Sequence, residues 1–174
     1  MDEQLQPGSA GYFVLLGLLI FGRGMDFLST WIATPNLILE ANPVARWLGW
    51  KGGLVLNLVV CALFAAWPLP ALIIVTTSIL VAARNLQNAW IMRTMGEIGY
   101  RDWIVAHVRE TRVSLYLTCL LLQTGLIASV GAGLIYFSQW LLVPFAVGLG
   151  MTAYAGAVLF YTLLSLWRIR RSLS

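Results

Sequence analysis

Long apolar runs dominate the chain, and each has the length that a transmembrane helix needs. About 20 consecutive, mostly apolar residues cross a bilayer as a helix. Five runs meet this requirement, at residues 11–34, 48–67, 70–94, 112–137 and 140–167. Because the runs are longer than barrel strands and lack their alternation, they predict an all-α fold. We expect a polytopic membrane protein with five transmembrane helices, forming a single domain over residues 1–174.

The composition agrees with this pattern. Of the 174 residues, 60% are hydrophobic and 10% are charged, whereas an average soluble domain is about 45–50% apolar and about 25% charged. A soluble enzyme, a nucleic-acid reader and a disordered chain are therefore excluded. The first run is not expected to be a signal peptide, because acidic residues precede it and it contains Arg23 and Asp26.

Apart from Arg23 and Arg84, which lie inside apolar runs, the basic residues fall in three regions, and this predicts the orientation. Arg46 and Lys51 flank the first connection, and the remaining groups flank the third connection and follow the last helix. These groups are Arg93, Arg101, Arg109 and Arg112, and then Arg168, Arg170 and Arg171. Five spans place all three regions on one side, where the positive-inside rule locates the cytoplasm. We expect a multi-pass inner-membrane protein with its N-terminus outside and its C-terminus inside.

The stretch at residues 96–111 is the one sizeable connection. It mixes apolar residues such as Trp103 and Val108 with charged ones such as Arg101 and Glu110. Two interpretations fit this mixture. It forms an amphipathic helix on the inner leaflet, or it extends a neighbouring helix into the cytoplasm.

Small residues recur at every fourth position in the last two helices. The two sets are Gly125, Ser129 and Gly133 in helix four, and Gly148, Thr152 and Gly156 in helix five. Small residues at this spacing let helix backbones approach closely. We expect these two helices to pack on each other as a hairpin through these residues, with oligomerisation as the alternative use of the same faces.

Polar residues inside three of the runs reach similar depths. With a rise of 1.5 Å per residue, Asp26 and Asn57 each lie about 12 Å from the expected cytoplasmic boundary, Arg84 about 15 Å and Asn88 about 9 Å. Charged groups within a bilayer are paired or line a cavity. The pattern predicts a polar cavity with an Asp26–Arg84 ion pair. Two alternatives stay open: Arg23 pairs with Asp26, or the groups only fix helix packing.

The first connection contributes further candidates. Asn42 before Pro43 is typical of a helix cap followed by proline at the first helical position, whereas Glu40 could reach Lys51, Arg46 or the polar layer. The complete set of candidate ligand-binding residues is Arg23, Asp26, Thr30, Glu40, Asn42, Lys51, Asn57, Arg84, Asn85 and Asn88.

A succession of short polar motifs runs through the first two predicted helices. Its members are Asp26, Ser29 and Thr30 within residues 26–30, then Glu40-Ala41-Asn42-Pro43, and then Lys51. This succession resembles an uncharacterised family of small prokaryotic membrane proteins with a D-x-x-[ST]-T signature, an E-x-N-P signature and a lysine at the head of the next helix. The resemblance covers about residues 13–95. It implies that the motif residues act together, and it implies no activity.

Enzyme motifs are scarce, so a non-enzymatic role is favoured. The chain has no Gly-rich phosphate loop and no nucleophile beside its single histidine, His107. We expect a protein that binds a partner subunit, a lipid or a small ligand through the polar site, without a cofactor, a metal or nucleic acid. Its expected partners are membrane lipids and other membrane subunits or further copies of itself. The alternatives are a small oligomeric transporter or channel and a lipid-modifying enzyme using Asp26 and Glu40.

Overall fold

The computed structural model describes residues 4–40 and 43–171, which form five helices. These are α1 (Ala10–Ala33), α2 (Pro43–Phe64), α3 (Pro68–Glu110), α4 (Val113–Phe137) and α5 (Leu142–Arg171). All five are long and apolar enough to cross a membrane. The predicted all-α fold with five membrane helices is confirmed, and the orientation stays a prediction.

Glycines break two of the helices. Gly49 divides α2 with a φ of 62°, and Gly96 divides α3 with a φ of 73°. Such positive φ angles favour glycine because it has no Cβ to clash with the backbone. The 43 residues of α3 would measure about 64 Å as one straight helix, roughly twice the hydrocarbon thickness. The break leaves residues 97–110 as a separate helical part that follows the apolar part of α3, and its placement on the inner leaflet or in the cytoplasm stays a prediction.

The helices are arranged with α3 at the centre. It packs against α1 on one side and α5 on the other, while α2 lies beside α1 and α4 packs mainly against α5. A buried apolar cluster joins the first three helices, with members from α1, α2, the turn after it and α3. Its members are Leu15, Leu19, Cys61, Ala65, Ala71 and Val75. This order leaves α2 and α4 at the two edges of the bundle.

The bundle turns apolar side chains outward, as a bilayer requires. Leu126 on α4 is 69% exposed and Val55 on α2 is 62% exposed, and Cys61 is the one fully buried residue of α2. In lipid these side chains meet acyl chains instead of water. Cys61 and Cys119 are both free thiols.

The contact between α4 and α5 is made by glycines, here called the glycine contact and defined by Gly131 and Gly148. A Cβ added to Gly148 would lie 2.6 Å from the carbonyl oxygen of Gly131, and one added to Gly131 would lie 2.8 Å from that of Gly148. The predicted hairpin is present, but its predicted contact residues are partly wrong. Gly125 and Gly133 face open space, because Gly131 lies on a different face of α4.

Candidate functional site

Arg23 is the centre of a group of polar side chains that joins three helices. Its Nη1 donates to Asp26 Oδ2 at 2.9 Å and to Ser78 Oγ at 3.3 Å, and its Nε donates to Asn57 Oδ1 at 2.7 Å. Asp26 is one turn along α1, Asn57 is on α2 and Ser78 is on α3. One guanidinium group therefore links α1 to both of its neighbours.

A second set of bonds extends this group along α1 and α3. The Asn85 side-chain amide donates to Ser29 Oγ at 3.3 Å and to Thr30 Oγ1 at 3.2 Å. Ser29 is fully buried and donates to the backbone carbonyl of Asp26. We call the whole group the polar cluster. Its members are Arg23, Asp26, Ser29, Thr30, Asn57, Ser78 and Asn85.

The predicted Asp26–Arg84 ion pair is absent from the described part of the chain. Asp26 forms its salt bridge with Arg23 at 2.9 Å, three residues earlier on the same helix, which is the alternative pairing that the sequence left open. Arg84 instead lies near Tyr100 and Tyr116. Similar depth did not bring the two charges together, because Arg84 lies on a different face of α3 from Ser78 and Asn85.

The polar cluster satisfies its own hydrogen bonds. In residues 4–40 and 43–171, every buried side-chain nitrogen or oxygen has a hydrogen-bond partner. The side chains of Arg23 and Asp26 are 30% and 19% exposed, so the pair is largely enclosed by protein. This geometry can hold α1, α2 and α3 in register.

The other predicted site residues lie outside the polar cluster. Lys51 is exposed on α2 and Asn88 is half-buried on α3. Glu40 is near enough to Asp26 for an electrostatic interaction, but its side chain lines a separate groove. Asn42 lies outside the described residues, so its predicted capping role stays a prediction.

Sequence reasoning missed Glu97, which fixes the connection between α1 and α2. It directly follows the break at Gly96 and is only 7% exposed. Its carboxylate accepts hydrogen bonds from the Thr34 hydroxyl, from the backbone and side-chain amides of Asn36, and from the backbone amide of Ile38. The Thr34 side chain is itself buried, and a buried donor needs such an acceptor. The sequence did contain one signal for this role, since a glycine followed by an acidic residue stands at the predicted membrane boundary.

An open groove of about 820 Å³ lies beside this connection. Three arginines line it, one from each of three elements: Arg46 near the start of α2, Arg101 after the break in α3, and Arg168 near the end of α5. We call it the basic groove. Its polar lining includes Asn36, Glu40, Tyr100, Tyr161 and Ser165, and its apolar lining includes Ile38, Met92, Ile104, Val105 and Leu164.

Comparison with known proteins finds no matching protein family, no matching curated protein and no matching solved structure. The resemblance carried by residues 26–30 and the motif around Glu40 therefore stays a hypothesis. The fold of the described residues is that of a membrane protein with five spanning helices, and its candidate sites are the polar cluster and the basic groove.

Proposed function

We propose that this protein is a non-enzymatic membrane protein that binds an anionic lipid in the basic groove. The convergence of Arg46, Arg101 and Arg168 on one open groove carries the proposal. These residues come from distant parts of the chain, so their meeting is a product of the fold. Glu40 is the one acidic residue among the lining groups, which leaves the lining with an excess of positive charge.

The lining matches a molecule with an anionic head and an apolar tail. Guanidinium groups bind phosphate oxygens through paired hydrogen bonds. Ile104, Val105 and Leu164 add an apolar wall next to the arginines, where an acyl chain can pack. The predicted topology places this groove at the cytoplasmic side, whose leaflet carries anionic lipids.

The polar cluster has a supporting role in this proposal. Its side chains bond to one another and join α1 to α2 and α3, so it holds the scaffold on which the groove is built. Glu97 extends this support, because its bonds to Asn36 and Ile38 fix two residues that line the groove.

Lipid retention by the purified protein tests the proposal. The protein is exchanged into detergent containing equal amounts of phosphatidylglycerol and phosphatidylcholine, and bound lipid is counted by native mass spectrometry. We expect the wild type to retain phosphatidylglycerol preferentially and the Arg101→Gln/Arg168→Gln variant to lose that preference.

The matched control is Arg109→Gln/Arg112→Gln, which removes the same charge from exposed residues at the same end of the bundle. Neither residue lines the groove, so this variant should retain phosphatidylglycerol as the wild type does. An equal loss in both variants would mean that general positive charge attracts the lipid, and the proposed site would be wrong.

A further inference from the structure

The outward face of α4 carries a polar residue where lipid is expected. Gln123 is exposed, and it lies ten residues into a helix of 25 residues. A rise of 1.5 Å per residue places it about 15 Å from the start of the helix, near the middle of the bilayer. Acyl chains at that depth can neither donate nor accept a hydrogen bond.

The residues around Gln123 form an open surface at the edge of the bundle. Leu122 is 62% exposed, Leu126 is 69% exposed and Val130 is 55% exposed. Gly133 continues this face, and a Cβ added there would meet nothing within 4 Å. Since α4 packs mainly against α5, the opposite side of α4 is left for another molecule.

We propose that a second copy of this chain covers this face, with α4 packed against α4 and the two Gln123 amides hydrogen-bonded to each other. A side-chain amide carries both donors and an acceptor, so it complements its own copy across a two-fold axis. Side-chain amides are known to hydrogen-bond between membrane helices. Gly133 leaves room for the two backbones to approach.

Association in lipid vesicles tests this dimer. Donor-labelled and acceptor-labelled protein are reconstituted together, and energy transfer is followed as the lipid-to-protein ratio is raised. We expect the wild type to associate, Gln123→Leu to weaken association by about threefold to tenfold, and Gln123→Asn to restore part of it. Gln87→Leu is the matched control, because it removes an exposed amide from α3 and should leave association unchanged.

The exposed Cys119 thiol, one turn before Gln123, reports on the geometry. Oxidation in membranes should link two wild-type chains through Cys119, and Cys119→Ala should abolish the link. Leu56 on α2 is 46% exposed. It lies seven residues after the break at Gly49 and Cys119 lies six residues after the start of α4, or about 10 Å and about 9 Å along their helices, but α2 is at the other edge of the bundle. Cys119→Ala/Leu56→Cys should therefore not cross-link. A monomeric wild type, association that is insensitive to Gln123→Leu, or equal cross-linking from Leu56→Cys would overturn the proposal.

Discussion

The interface of α1 with its neighbours and the interface between α4 and α5 are built in different ways. Around α1, Arg23 reaches Asn57 on α2 and Ser78 on α3 with directional hydrogen bonds. Between α4 and α5, Gly131 and Gly148 leave so little space that an added Cβ would overlap a backbone carbonyl. One interface depends on polar bonds and the other on the absence of side chains.

This difference shows two kinds of contact that can hold helices together in lipid, where the hydrophobic effect between helices is weak. Helices that are already surrounded by apolar chains gain little by burying apolar surface against each other, so close packing and interhelical hydrogen bonds must hold them together. The polar bonds fix the register of the helices, because Arg23 can reach Asn57 and Ser78 only when α1 is correctly aligned with α2 and α3. Close glycine contacts define shape and tolerate no added volume.

The largest effect is expected from the polar cluster. Asp26→Asn removes the counter-charge of Arg23 and should lower the free energy of unfolding by about 3 kcal/mol, because an unpaired enclosed charge is costly. The double variant Arg23→Gln/Asp26→Asn should recover much of that loss. Detergent-induced unfolding of the reconstituted protein, followed by circular dichroism, provides the measurement.

Asp102→Asn is the control for this experiment. Asp102 lies 3.8 Å from Arg101, and both side chains are well exposed, so little change is expected. If the double variant were no more stable than Asp26→Asn alone, the Arg23–Asp26 pair would not be the main contact of the cluster.

The next effect concerns Glu97, which accepts hydrogen bonds from the connection between α1 and α2. Glu97→Ala should cost about 2 kcal/mol of unfolding free energy, because the buried Thr34 hydroxyl and the amides of Asn36 and Ile38 lose their acceptor. Hydrogen exchange at these two amides should also become faster. The control is Glu110→Ala, at the exposed end of α3, which should change neither the unfolding free energy nor the exchange rates. If the Asn36 amide exchanged no faster in Glu97→Ala than in the wild type, the role assigned to Glu97 would be wrong.

The glycine contact should respond to added volume. Gly148→Ala places a methyl group against Gly131 and should cost about 1.5 kcal/mol through overpacking. Gly156→Ala on the same helix meets nothing within 4 Å and should be neutral or slightly stabilising. Equal stability of these two variants in the same unfolding assay would show that the close approach is not required.

The smallest effect is expected at the interface between α3 and α5, where one hydroxyl group bonds to a glycine carbonyl. The Thr77 hydroxyl on α3 shares its hydrogen between Ile73 O at 2.8 Å and Gly150 O of α5 at 3.2 Å. Thr77→Val should cost about 0.6 kcal/mol, a common value for one interhelical bond. Thr94→Val, whose hydroxyl bonds only within its helix to Trp90 O, should cost less. If Thr77→Val lowered the free energy of unfolding more than Gly148→Ala does, this single polar bond would matter more than the close glycine contact, contrary to the order expected here.

The helices could be predicted well from sequence because hydrophobic length alone decides them in a membrane. The predicted first helix at residues 11–34 became Ala10–Ala33, and the predicted fourth at 112–137 became Val113–Phe137. The continuation of α3 to Glu110 was harder to predict, because charged residues end the apolar run near Thr94. The breaks at Gly49 and Gly96 depend on local φ angles that hydropathy does not report.

The site was less predictable because depth does not determine direction. Asp26 and Arg84 have similar depths, yet Asp26 bonds to Arg23, and the i, i+3 spacing of that pair was the better guide. Glu97 and the basic groove join residues far apart in the chain. No local pattern connects Arg46 with Arg101 and Arg168, so only the folded chain reveals their meeting.

The bonds to Glu97 also impose an order on assembly. The amides of Asn36 and Ile38 find their acceptor 61 and 59 residues further along the chain. At a synthesis rate of about 5–20 residues per second, the ribosome needs roughly 3–12 s to make that stretch. During this time α1 and α2 can enter the membrane, but the Glu97 carboxylate that accepts from these two amides in the folded protein has not yet been made. The connection within the first hairpin of the protein therefore gains its final hydrogen bonds only when the part of α3 after Gly96 has been made.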